Sequence, residues 1–242
     1  MQLLFALCLT YIVWGVSPSF AQEETESPKF AELEVRIKAP DIKLPAPMQV
    51  KMDVEVCGTT KTSEILQLGP NRELIDAVVW VEGPQTLAWP RPTDEDFEGP
   101  SFESKNCELS PRVVISRPRE MIRFFNRDPI LHSFRAEGKK NYPVFRAHPP
   151  KLASTSIRLE HPEIVPIASD LHPWMKAYVV VAPHQNYAIS NSAGVALISR
   201  LRRGKYTLHL WHPSLGDLKV SEEIEIQGRK LSLSIDWKIP TP

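Results

Sequence analysis

Hydrophobic and polar residues alternate with a period of two in a series of short segments, over residues 34–38, 48–56, 75–82, 111–116, 120–126, 155–159, 176–182, 187–190, 194–198, 205–212, 218–226 and 230–237. These segments are rich in Val, Ile, Tyr and Trp, and Pro, Gly, Asn or Asp separates most of them. Alternation sends every second side chain to one face of a strand, so short alternating runs punctuated by turn formers predict an all-β sandwich protein rather than βα units. No stretch keeps the 3.6-residue period of an amphipathic helix over three turns. Residues 160–169 are ambiguous, because His161-Pro162 suits the opening of a helical turn that Pro166 would end. Residues 22–29, 90–100 and 138–150 read as an acidic leader and two Pro-bearing loops.

Composition narrows the classes. The 242 residues hold 23 Pro but only 10 Gly, about twice the usual Pro share, which weighs against long helices and against a Gly-rich phosphate loop. Lys and Arg number 29 and Asp and Glu 29, so the formal net charge is zero. That removes the summed electrostatic attraction on which sequence-independent binding to nucleic acid or anionic lipid rests, and nucleic acid is not an expected partner.

Residues 3–16 form an uncharged apolar run, and Ser19 and Ala21 stand three and one positions before a small-residue cleavage point. The run is too short to span a bilayer comfortably and reads as a secretory signal over residues 1–21, placing the protein in the periplasm or outside the cell. Since no Lys or Arg precedes the run, an uncleaved anchor is the alternative. The longest later apolar stretch, 177–182, is too short to span, so no membrane span is expected after cleavage. Cleavage removes Cys8 and leaves Cys57 and Cys107. An even pair in an exported chain reads as a disulfide, with two buried thiols as the alternative.

Candidate chemistry lies in two places. Asn126, Arg127, Asp128 and His132 follow the alternating segment that ends near residue 125, and Ser169, Asp170, His172, Pro173, Trp174 and Met175 precede another. In these residues, and in Pro111, Arg112 and Val113 opening an earlier strand, the chain resembles the cupredoxins, the blue copper proteins related to plastocyanin. Within them it is similar to the periplasmic plastocyanin-like proteins called methylamine utilisation proteins. That family has an Asn-x-Asp turn leading to a first histidine ligand, then Cys-Asp-x-His-Pro-Trp-Met. Over roughly residues 107–181 the resemblance implies His132 and His172 as copper ligands and Met175 as the axial ligand, and it puts Ser169 at the cysteine position.

Blue copper electron transfer needs the thiolate. A serine hydroxyl is a hard, weak, normally protonated donor and does not replace it. Two imidazoles and a thioether remain, a weaker site for Cu(I), or for Cu(II) completed by water or Asp170. The expected function is therefore an exported cupredoxin-like protein that binds or handles copper without blue copper electron transfer. The alternative is a metal-free structural or protein-interaction sandwich of the cell envelope, with a periplasmic protein as partner and the loop held by Pro173 and Trp174. Ser169, Asp170 and His172 also suggest a catalytic triad, but neighbours on one loop rarely aim at each other as nucleophile, orienter and base, and no enzyme is expected.

Tyr187, Ala188, Ile189, Ser190, Gly194, Gly204 and Tyr206 resemble the end of the carboxypeptidase regulatory-like, transthyretin-like β-sandwich, with Ser190-Asn191 in place of Thr-Asp and Arg202 in place of Pro. The expected architecture is a cupredoxin-like Greek-key β-sandwich combined with a small transthyretin-like one. Residues 22–47 supply a leader and first strand, 48–182 the cupredoxin-like region and 183–242 the C-terminal sandwich segment. Residues 48–83, with Ala77, Val78 and Val79, belong either to the cupredoxin-like region or with the C-terminal segment. His209 and His212 are three apart on a predicted strand, face opposite ways and do not chelate together. Trp80, Trp89 and Trp237 offer a carbohydrate or partner surface if exposed, and core if alternation holds.

Overall fold

Two segments, Val78-Val79-Trp80-Val81 and Ala177-Tyr178-Val179-Val180-Val181, are apolar at consecutive positions, so a strand built from either must bury both faces. The computed structural model, which describes residues 29–44, 46–62, 66–90, 99–150 and 154–238, meets this demand by stacking four sheets. The predicted signal over residues 1–21 lies outside the described residues.

The described strands are β1 (Ala31–Lys38), β2 (Met48–Gln49), β3 (Thr60–Lys61), β4 (Val78–Glu82), β5 (Ser101–Lys105), β6 (Glu108–Ser110), β7 (Val113–Ser116), β8 (Met121–Asn126), β9 (His132–Ala136), β10 (Val144–His148), β11 (Thr155–Arg158), β12 (Ile164–Ala168), β13 (Lys176–Val181), β14 (Tyr187–Ile189), β15 (Val195–Leu201), β16 (Gly204–His212), β17 (Gly216–Ile226) and β18 (Lys230–Asp236), with one short helix, α1 (Val54–Cys57). The protein is all-β, as the alternation predicts.

Sheets β15-β1-β18 and β14-β4-β16-β17 enclose a first core, in which Leu33, Val35 and Ile37 of β1 share an interior with Val79, Val81, Leu208 and Leu210. Sheets β10-β9-β12-β13-β7 and β11-β8-β5-β6 enclose a second, centred on Phe102, Phe124 and Phe134, whose rings stack in sequence at 5.3 and 4.6 Å. The outer faces of β4, β14 and β16 then pack against those of β7 and β13. Val78, Val113 and Val180 are buried there, Trp80 stacks on Tyr187 at 5.5 Å and on His209 at 5.0 Å, and Trp211 meets Tyr178 edge-on at 5.1 Å. Each fully buried Val or Leu contributes about 1.5–3 kcal/mol, so a strand clad on both faces gains from both.

The chain enters the first pair of sheets with β1 and β4, builds the second with β5 to β13, and returns with β14 to β18. Strand β4 lies between β14 and β16, with Val79 opposite Ala188 on one side and Leu210 on the other. Residues 48–61 side with the second core instead, to which Val50 and Cys57 contribute.

Several local expectations are corrected. Residues 48–56 do not form one strand, because Asp53 takes a left-handed conformation (φ 54°) and its carbonyl accepts the Val56 and Cys57 amides, turning the chain into α1. The 138–150 loop contains β10, and the ambiguous 160–169 segment contains β12, where Pro166 lies beyond the two-residue pairing with β9. Strands β5, β6 and β9 were not signalled by alternation. Trp237 is buried in the first core, Trp80 lies between the sandwiches, and the Trp89 indole N–H donates to the Ala182 carbonyl at 2.7 Å, so the three tryptophans form no common surface.

His209 and His212 do face opposite ways. His209 stacks on Trp80, whereas His212 is buried and bonds the Ile75 carbonyl at 3.0 Å through Nε2. Burial, with Arg112 adding and the Ile75 bond opposing, lowers the His212 pKa from 6.5 to about 4. The unfolded chain then takes up a proton before the folded one, so stability is full above about pH 6.5 and falls as pH drops towards 4. His212→Gln should flatten this decline by about 2–3 kcal/mol, read from urea midpoints at pH 7.5 and 4.5. An equal decline in both proteins would contradict it.

Candidate metal centre

Strand β8 ends at Asn126, whose side-chain amide donates to the carbonyls of Ile130 (2.8 Å) and His148 (2.9 Å) and whose Oδ1 accepts the Asp128 amide (2.9 Å). One side chain thus folds the whole Asn-x-Asp turn and sets where β9 begins. Asp128 is nearly buried. Its Oδ1 accepts the Asn106 amide (2.7 Å), and its Oδ2 accepts the Cys107 amide (2.9 Å) and lies 2.9 Å from His132 Nε2. Three N–H partners offset the cost of burying the carboxylate.

The second loop closes on itself. The Ser169 amide donates to the Met175 carbonyl (3.1 Å), the Met175 amide donates to the His172 carbonyl (2.8 Å), and Ser169 Oγ accepts the His172 amide (3.1 Å). These bonds deliver His172 into the interior, where its Nε2 lies 2.9 Å from Asp53 Oδ2. Trp174 packs on the His172 ring at 5.3 Å and donates its indole N–H to the Cys107 carbonyl at 2.9 Å.

His132 and His172 are both fully buried, and their Nδ1 atoms face each other at 3.2 Å. A carboxylate only accepts, so each Nε2 carries the hydrogen donated to its aspartate, and in the neutral form of each ring Nδ1 is then left with a lone pair facing its partner. Two lone pairs at this distance repel unless a cation lies between them. Two imidazole nitrogens about 2.0 Å from one metal at a near-tetrahedral angle stand about 3.3 Å apart, so the spacing of 3.2 Å fits a shared metal. Burial lowers the His132 pKa, the bond to Asp128 works against that, and the nearby His172 and His148 reinforce it, so the neutral ring is favoured.

The fold therefore brings His132 and His172 together. Met175 is buried in the second core, placed by its amide bond to His172. Asp170 is turned away, pairing with Arg135 at 3.3 Å on the surface, and does not complete the site. Ser169 Oγ bonds the His172 amide rather than its ring, so Ser169, Asp170 and His172 form no triad. Cys57 and Cys107 are joined in a disulfide. The Cys107 sulfur lies within 4.8 Å of an Asp128 oxygen and a His132 ring nitrogen, but in the bridge it is no thiolate. Neither Asp53 nor His148 was anticipated. His148, also fully buried, stands opposite His132 in the β9–β10 register and meets Phe134 edge-on at 6.1 Å. A His ahead of Pro149-Pro150 was its one visible signal.

No protein-family model and no curated protein matches the chain. Among solved structures it is similar to a purple cupredoxin from Nitrosopumilus maritimus, at 14% identity over 34% of this chain and 99% of that one, with a TM-score of 0.29. It is also similar to amicyanin from Paracoccus versutus, at 14% identity over 43% and 97%, TM-score 0.32. A Cu-containing nitrite reductase from Thermus scotoductus matches at 17% identity over 40% of this chain and 25% of that one, TM-score 0.31.

Asp128→Asn would set an amide group against buried N–H donors and should cost about 2–3 kcal/mol in urea unfolding at pH 7, while Asp170→Asn at the exposed Arg135 pair should cost less than about 1 kcal/mol. Equal costs would contradict the placement of Asp128.

Proposed function

We propose that this chain is an exported, cupredoxin-like module that holds copper between His132 and His172, with Met175 as third ligand, and that it does not carry out thiolate-based electron transfer. The observation that carries this reading is the pair of buried Nδ1 atoms at 3.2 Å, each ring held from its other side by an aspartate. The Asn-x-Asp turn and the Asp-x-His-Pro-Trp-Met loop support it from the sequence. Two imidazoles and a thioether form a soft set suited to Cu(I). Ser169 occupies the position of the thiolate and instead holds its loop closed, and the sulfur of Cys107 is in the disulfide. The residues therefore fit a copper-holding site and do not fit a blue copper one.

The chain's own groups have definite tasks in this reading. Asp128 and Asp53 orient the rings, the closed 169–175 loop fixes their separation, and full burial shields the nitrogens. Export is supported by the apolar run at residues 3–16 and by the disulfide, a bond that persists in oxidising compartments. No helix among the described residues is long and apolar enough to cross a membrane. The sandwich containing β14 to β18, which carries the transthyretin-like resemblance, serves as scaffold.

A second reading, a metal-free interaction sandwich of the envelope, is favoured by one feature: a single proton shared between the two Nδ1 atoms also removes their repulsion. Titration of the mature protein with Cu(I) and Cu(II) separates the two. The copper reading predicts one site with a dissociation constant at or below about 1 µM, lost in His172→Ala, and no binding in either oxidation state contradicts it. Ser169→Cys should give the copper-loaded protein the intense visible absorption of a copper thiolate. A colourless copper-loaded variant would contradict the convergence of residue 169 with the two histidines.

A further inference from the structure

The two aspartates that hold the histidines come from distant parts of the chain, and Cys107 links them. Its amide donates to Asp128 Oδ2, the oxygen that also accepts from His132. Its carbonyl accepts the Trp174 indole N–H, and that ring packs on His172. Its sulfur is bonded to Cys57, the last residue of α1. The Cys57 amide in turn donates to the Asp53 carbonyl at 2.8 Å, and Asp53 Oδ2 holds His172. A continuous path of bonds thus runs from His132 through Asp128, Cys107, Cys57 and Asp53 to His172.

The Asp53 end of this path has little other support. Helix α1 is four residues long, too short to hold itself. Met52, Asp53, Val54 and Glu55 are exposed, and Asp53 sits in a left-handed backbone conformation uncommon for a residue with a Cβ. Lys61 anchors the residues after α1 by pairing with Glu108 at 2.8 Å and Val56 packs against the second core, while Cys57 is the covalent tether of the helix. Both cysteines are buried, so the bridge is a fixed part of the interior.

We propose that the Cys57–Cys107 bridge is the positioning element of the histidine pair: it fixes Asp53 relative to Asp128 and thereby sets the tautomer of His172 and its approach to His132. The consequence for metal affinity rests on the copper reading above, whereas the consequence for the tautomer does not.

The first test uses metal-free protein. Long-range 1H–15N spectra of the native chain should show both rings as Nε2–H tautomers. In folded Cys57→Ala/Cys107→Ala, His172 should average between tautomers, and a retained Nε2–H form there overturns the proposal. The second test is Cu(I) competition against a chromogenic chelator. The double variant should bind about 10–100-fold more weakly, and Asp53→Asn similarly. Combining all three changes should weaken binding by no more than about threefold beyond the weaker of the two, because bridge and aspartate act on the same ring. Losses that multiply overturn the proposal. A native protein that binds no copper removes the copper reading alone and leaves the tautomer test to decide this one.

Two further measurements cover a double variant that does not fold. Glu55→Gly loosens α1 but leaves both carboxylates and the bridge, and should change affinity by less than about threefold. A loss equal to that of Asp53→Asn would mean that helix propensity, not the bridge, places Asp53, and overturns the proposal. Reduction of the native protein by dithiothreitol, which is removed before copper is added because its thiols bind Cu(I), moves two electrons and two protons from the dithiol to the bridge, leaving two thiols and the cyclic disulfide of the reagent. Binding should weaken. Tighter binding would mean that the freed Cys107 sulfur, within 4.8 Å of Asp128 and His132, had become a ligand, and overturns it equally.

Discussion

Two imidazoles that face each other nitrogen to nitrogen in a buried core must be held there, and much of the surrounding structure takes part in holding them. The separation of 3.2 Å between His132 and His172 is held by an aspartate behind each ring, and each aspartate is held in turn. Asp128 is fixed by the amides of Asn106 and Cys107, both at positive φ in the turn between β5 and β6, so the turn conformation itself aims two donors at one carboxylate. Without these partners a buried carboxylate would be too costly to keep.

The four-sheet stack supplies the rigidity this geometry needs. His132 opens β9 and Met175 leads into β13, both interior strands of one sheet, and the outer face of β13 is covered by the Trp80, Tyr187, Tyr178 and Trp211 cluster. Packing on both faces leaves little room for β13 to shift. The loop between β12 and β13 can therefore keep its shape with serine at residue 169, because its closure depends on backbone bonds and a hydroxyl acceptor that needs no metal.

Much of this was legible in the sequence, for identifiable reasons. The alternating segments marked most of the strands, although β4 and β13, read as alternating, are in fact apolar at consecutive positions, and the Asn-x-Asp-x-x-x-His and Asp-x-His-Pro-Trp-Met motifs marked the two loops that meet. The opposed faces of His209 and His212 followed from strand periodicity alone. Strands β5, β6 and β10 were missed because charged or polar residues such as Glu103, Lys105, Glu108 and Arg146 dilute their alternation. Asp53 was invisible for a different reason. It stands 119 positions from His172, inside a stretch that reads as a strand, and the left-handed turn at Asp53, the packing of Val50 and Val56 and the cysteine bridge bring it to the site. A partner fixed by tertiary contact carries no local signature.

The claim that the facing Nδ1 atoms are metal ligands is tested most directly by an anomalous-scattering map from crystals of the protein loaded with Cu(I). A copper peak within bonding distance of Nδ1 of both His132 and His172 is the predicted result. A map with no peak between the two rings, or a peak on the Nε2 side beside Asp128, would contradict the account.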